Sequence, residues 1–146
     1  MTNTAPQAPL ARQAQSFVYE KPSVGEGKGR VLLAHTDIGS VAVQVINRGG
    51  ENNLHHHVHR DGFWFVLRGR VRFYTTGDEL LGELGPNEGM LTPRGFDYWF
   101  EAVPGEEDLE LLQFGATEVP LTPAESVLDR VNVEGLKPNQ SRTLER

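Results

Sequence analysis

The chain has 146 residues, of which 38% are hydrophobic and 8% aromatic, and a formal net charge of −6. That length suits one globular domain with a sizeable core, and the acidic balance argues against nucleic acid as a partner, since phosphate binding needs clustered Lys and Arg. There is no cysteine, which excludes disulfides, thiolate metal sites and a cysteine nucleophile, so any metal must be held by nitrogen and oxygen.

Residues 1–15 are Ala, Pro, Gln and Thr with little periodicity, and a flexible N-terminal arm is expected. The stretch 16–30 carries Phe17, Val18 and Tyr19, then glycines at 25, 27 and 29, and predicts a loop leading a strand onto a sheet edge. From 31 to 114 short β-prone runs follow one another at 31–35, 40–47, 53–59, 63–67, 70–75, 79–84, 89–92, 97–102 and 109–114. Breaks such as Gly49-Gly50, Pro86-Asn87, Pro93-Arg94-Gly95 and Pro104-Gly105 separate them, the spacing of an all-β sandwich or barrel. Alternation is clearest at Val41, Val43 and Val45, which predicts a half-buried strand with a valine face. Arg68, Arg70 and Arg72 share another face, read as a solvated surface pairing with Glu79, Glu83 and Glu110, with a carboxylate clamp as the alternative. Past residue 117, Thr122-Pro123-Ala124-Glu125 reads as a capping box, and Val127, Leu128 and Val131 predict a helix of two or three turns stopped by Gly135. The polar tail beyond residue 136 is expected to fray. The chain thus divides into an arm (1–15), a barrel domain (16–117) and a C-terminal extension with a short helix (118–146).

Four of the five histidines, His55, His56, His57 and His59, fall within five residues. Side chains on a strand alternate, so His55, His57 and His59 share a face that His56 does not. Neighbouring members lie about 6.6 Å apart along the strand, close enough for two imidazoles to meet one metal. His59 joins them only if the chain bends after His57, which Asp61 and Gly62 permit.

Gly49, five residues, His55-x-His57, then the hydrophobic run Phe63 to Leu67 ending at Gly69, resembles the first motif of the cupin family. Residues 87–102, with Pro93-Arg94-Gly95, resemble its second motif, and the resemblance covers roughly 30–115. It implies an all-β double-stranded β-helix, or jelly-roll barrel, with a metal inside held by His55 and His57. The chain departs from the family at four places: Gly62, preceded by Asp61, stands for the glutamate, Tyr98 for the last histidine, Asn87 for glycine and Ala102 for asparagine. Further ligands must then come from Tyr98, His59, Asp61 or Gln113. Tyr98 can alternatively serve as an acid or base, or as a phenol that hydrogen-bonds a ligand. Inward parity from Tyr98 adds Phe96 and Phe100, and Trp64 from the neighbouring strand, to an aromatic pocket with Gln113.

The resemblance implies a transition metal (Fe, Mn, Ni, Cu or Zn) and oxygenase, isomerase or lyase chemistry on a small, partly apolar organic molecule. The alternatives are a metal-free, epimerase-like barrel, a ligand-binding barrel without turnover, and a barrel that serves to dimerise; a homodimer is expected. No stretch nears the ~20 apolar residues of a membrane span and no secretory signal is visible, so a cytoplasmic protein without membrane partners is expected.

Overall fold

A computed structural model describes residues 12–133, except 26 and 106. Ten strands run β1 (Lys28–His35), β2 (Gly39–Ile46), β3 (Gly50–His57), β4 (Arg60–Arg68), β5 (Val71–Tyr74), β6 (Leu80–Leu84), β7 (Gly89–Thr92), β8 (Tyr98–Ala102), β9 (Leu109–Thr117) and β10 (Arg130–Asn132). They form two antiparallel five-stranded sheets, ordered β1-β2-β9-β4-β7 and β10-β3-β8-β5-β6. The first and last parts of the sequence meet inside each sheet: β2 pairs with β9 from Gly39↔Ala116 to Ile46↔Leu109, and β3 pairs with β8. The all-β architecture expected from the turn spacing, and the jelly roll that the family resemblance implies, are the fold observed. The two inner faces enclose a core in which Ile46, Val66, Phe73, Phe100 and Leu111 are removed from solvent.

On β2 the valines do not form the inner face. Ala42, Gln44 and Ile46 point between the sheets, while Val43 and Val45 point outward yet are 0% exposed. The segment ahead of β1 crosses over them and packs Tyr19 and Val24 there. Burying each valine contributes about 1.5–3 kcal/mol, which keeps this segment on the sheet. Tyr19 also donates its hydroxyl to Glu110 at 2.6 Å, and burial together with that carboxylate pushes the phenol far above its ordinary range. Nearer the N-terminus, Gln15 bridges the backbone of His35, donating at 2.6 Å and accepting at 3.2 Å. Gln15, read as the end of the flexible arm, is thus fixed to β1, and residues 1–11 lie outside the described residues. Further along the same outer face Phe63, Phe65 and Phe114 stay exposed.

The arginine comb is the ion-paired surface read from the sequence. Arg70 and Arg72 both reach Glu83, at 3.1 and 2.8 Å, and Arg68 lies 3.5 Å from Glu110. Two guanidinium groups hold the Glu83 carboxyl below its usual range.

The C-terminal extension departs from expectation. The capping box forms as read, with Thr122 accepting from the Glu125 backbone at 3.1 Å and Glu125 accepting from Thr122 at 3.0 Å. The helix α1 (Pro123–Leu128) then ends after six residues, and Val127 and Leu128 are exposed rather than packed. Val131 belongs to β10, which pairs Arg130↔His57, Val131↔His56 and Asn132↔His55. The open backbone of β3 offers hydrogen bonds that a longer helix would forgo, and β-branched Val131 suits the strand. Gly135 and the tail lie outside the described residues.

Candidate functional site

Strand β3 delivers His55 and His57 to one face, as the alternation requires. His55 is 0% exposed, and its Nδ1 lies 2.7 Å from the Asn53 carbonyl oxygen, to which it donates. His57 lies nearer the rim, and the two rings meet edge to face with centroids 5.5 Å apart. His56 points to the other face and bonds Asp97 at 2.8 Å.

The chain does bend after His57, but the bend carries His59 away from the pair. Its backbone N–H donates to Asp129 Oδ1 at 2.7 Å, and its ring faces Glu125 at 3.9 Å. The other Asp129 oxygen accepts from His57 Nδ1, also at 2.7 Å. Asp129, between α1 and β10, is 4% exposed, and Arg60 Nε lies 3.7 Å from the oxygen that holds His57. A buried carboxylate is stable only when such donors surround it. Asp129 escapes the sequence reading because it comes 72 residues after His57 in a segment read as helix.

Tyr98 stands opposite His55 across the β3–β8 pair, with ring centroids 4.5 Å apart. It is 3% exposed and packs with Trp64 and Phe73 in the barrel interior. Trp64 and Phe100 lie in the same cluster, 5.0 Å apart, as expected. Phe96 does not: it precedes β8, where strand parity no longer applies, and lies exposed beside the Pro93–Gly95 turn. Gln113 accepts from Gln44 at 3.0 Å.

His57 and Gln113 line a cavity of about 460 Å³ at the barrel mouth, with Arg30, His35, Ser40 and Arg60. The residues described around it do not include His55, Tyr98, Trp64 or Phe100. Trp64, Tyr98 and Phe100, read as a pocket, pack together in the core beside His55, and the cavity wall mixes polar side chains with Leu32, Ile38 and Leu121. Arg30, Arg60 and His35 are site residues that the strand pattern did not single out.

No protein-family model matches the chain, and no curated protein does. Solved structures do. KdgF from Halomonas sp. superposes with a TM-score of 0.61 at 19% identity, covering 77% of this chain and 98% of its own. A double-stranded β-helix protein from Klebsiella pneumoniae gives 0.58 at 19%, over 75% and 100%. The chain has the cupin fold. Another cupin-like barrel, the Streptomyces nucleoside dehydratase Pac13, matches with a TM-score of 0.59 at 15% identity, over 86% of this chain and 95% of its own.

The metal that the cupin resemblance implies can be tested against this donor set. The 5.5 Å between the His55 and His57 rings suits two ligands of one ion. At Gly62, where the family has its glutamate, a Cβ would lie 2.7 Å from Thr92 Oγ1 and 3.0 Å from Trp64 Nε1, which are hydrogen-bonded to each other at 3.0 Å. An indole and a hydroxyl thus fill the space of the third ligand. Asp61 faces the other way and accepts from the Arg94 backbone at 2.9 Å. Among the described residues no three His, Asp or Glu side chains gather as a metal site. Two imidazoles, with only the Tyr98 phenol packed beside His55, fall short of the three His or carboxylate ligands usual for a catalytic ion, so these residues do not fit the metal.

Proposed function

We propose that this cupin barrel is an acid–base enzyme, a lyase or isomerase, acting on a small polar organic molecule in the mouth cavity. The observation that carries the reading is the 2.7 Å contact between His57 Nδ1 and the buried Asp129 carboxylate, with His57 on the cavity wall. The carboxylate holds the ring proton at Nδ1 and leaves Nε2 as the proton acceptor, the arrangement by which a third group orients a catalytic base. Nε2 takes a proton from carbon beside an electron-withdrawing group. The electron pair left behind then either expels a neighbouring leaving group or is reprotonated at a different atom, giving elimination or isomerisation respectively. His55 packs edge-on against His57, and Tyr98 packs against His55, so both act here as positioning residues. A dehydratase among the barrels of this fold, Pac13, supports elimination as a reaction class within reach of the architecture.

The test is proton exchange in D2O, followed by proton NMR over a panel of small β-hydroxy carbonyl compounds, charged and neutral. Wild type should exchange or dehydrate at least one, and His57→Gln should lose about 10²–10⁴ of that rate. Equal rates in the variant would refute the base, and no exchange anywhere in the panel would favour a binding barrel without turnover. A second reading, a transition metal on His55 and His57, is favoured by the ring spacing and by the Nδ1 hydrogen bonds of both rings, the kind that orient metal-bound imidazoles. Stoichiometric metal in purified protein, lost in His55→Ala and required for turnover, would establish it over the first.

A further inference from the structure

We infer that the mouth cavity selects a substrate bearing a carboxylate, recognised by Arg30 and Arg60. The inference shares its cavity with the acid–base reading and adds the substrate class to it. Most arginines of the barrel have an acidic partner: Arg68 faces Glu110, Arg70 and Arg72 face Glu83, and Arg94 lies 3.1 Å from Glu118. Arg30 has none. It lies half-buried on the inner face of β1, opposite Gln44, and makes no ion pair or side-chain hydrogen bond among the described residues. In a chain of net charge −6, a half-buried guanidinium left without a carboxylate is an available anion site.

Arg60 supplies the second cation. Its nearest carboxylate, Asp129, is 3.7 Å away and already accepts from His57 and from the His59 backbone. Its stem lies across Gly115 of β9, where a Cβ would stand 2.9 Å from Arg60 Cδ. The glycine thereby lets the arginine lie flat along the inner wall. The wall holds one carboxylate of its own, Asp37, exposed in the turn between β1 and β2. Arg30 on β1 and Arg60 on β4 offer two guanidinium forks on different strands, which suit the two separated carboxylates of a small diacid better than one compact phosphate. Gln113 and Ser40 add neutral polar groups, and a carboxylate held here places the rest of a small acid beside His57.

Calorimetric titration with succinate, succinamide and inorganic phosphate tests this. Succinate should bind wild type, succinamide should not, and phosphate should bind more weakly than succinate. Arg30→Gln should weaken succinate about ten- to hundredfold, the range of a lost charge-assisted hydrogen bond. Gly115→Ala, which displaces Arg60 without removing it, should weaken succinate severalfold while the fold, checked by circular dichroism, persists. Equal binding of succinate and succinamide, tighter binding of phosphate, or undiminished succinate binding in both variants would overturn the inference. The two readings fail separately. Succinate binding by a wild type that exchanges no proton overturns the acid–base reading alone, and proton exchange without preference for the acid over the amide overturns this one alone.

Discussion

Replacing Asp129 by asparagine keeps the shape of the side chain and removes its charge. The buried carboxylate accepts two 2.7 Å hydrogen bonds, from His57 Nδ1 and the His59 backbone. Asparagine can keep the second through its carbonyl oxygen. Toward His57 it then presents an NH2 group, which can only donate, so the imidazole must accept at Nδ1 and carry its proton at Nε2. Loss of one charge-assisted hydrogen bond in a buried place costs about 1.5–3 kcal/mol. For a domain near 150 residues that lowers Tm by roughly 4–10 °C. The proton-exchange rate should fall much further than stability does, by about 10²–10⁴, because the acceptor atom has become a donor. Thermal unfolding by circular dichroism measures the first effect, and nitrogen-15 chemical shifts of the imidazole measure the tautomer directly. If Asp129→Asn leaves the His57 tautomer on Nδ1 and the rate within a factor of three, the carboxylate does not orient a base.

Gly62→Ala should cost about 1–3 kcal/mol by overpacking against the hydrogen-bonded Trp64 and Thr92, read from urea denaturation. Gly62→Glu should lose at least as much without gaining stoichiometric metal, whereas a stable, metal-loaded variant would show that the family site is still open. Tyr19→Phe removes a hydrogen bond to half-buried surroundings and should cost about 1 kcal/mol. The Tyr19 phenol ionises at higher pH in the folded than in the unfolded chain, so its contribution is complete below pH ~10 and is lost as pH rises above that value. Stability between pH 10 and 12 should therefore fall more steeply in wild type than in Tyr19→Phe, and identical slopes would refute the buried phenol.

The barrel is legible in the sequence because its signals are local. Gly69 and Gly95 adopt left-handed backbone at the turns where the motif spacing puts them. Asn87, at the position of a family glycine, does the same with a φ of 70°, a conformation asparagine tolerates. The His55 and His57 face follows from alternation alone. What alternation cannot give is which of two faces lies between the sheets. Both faces of β2 are buried, and only the overlying segment with Tyr19 and Val24 explains the valines. Nor does parity extend past a strand end, which is why Phe96 and His59 leave the faces of Tyr98 and His57. The carboxylate that completes the site arrives through pairing between distant segments, and no spacing rule links Asp129 to His57.

That pairing also explains why the candidate site and the stability of the barrel depend on the same contacts. Without β10, the histidine strand β3 would be the bare edge of its sheet, with backbone N–H and C=O groups open to other chains. The sequence closes the edge with a short strand, and the residue just before it must enter the interior to make the turn. An aspartate there is tolerable only where donors meet it, and the chain supplies them from both sides of the β3–β4 bend: the His57 ring, the His59 N–H and the Arg60 guanidinium, while Val58 N–H donates to the Asp129 carbonyl at 2.9 Å. The bend is held by Asp129, and Asp129 is held by the bend. Small changes in the 122–132 segment, remote from His57 in sequence, therefore act on the orientation of His57 before they unfold the barrel.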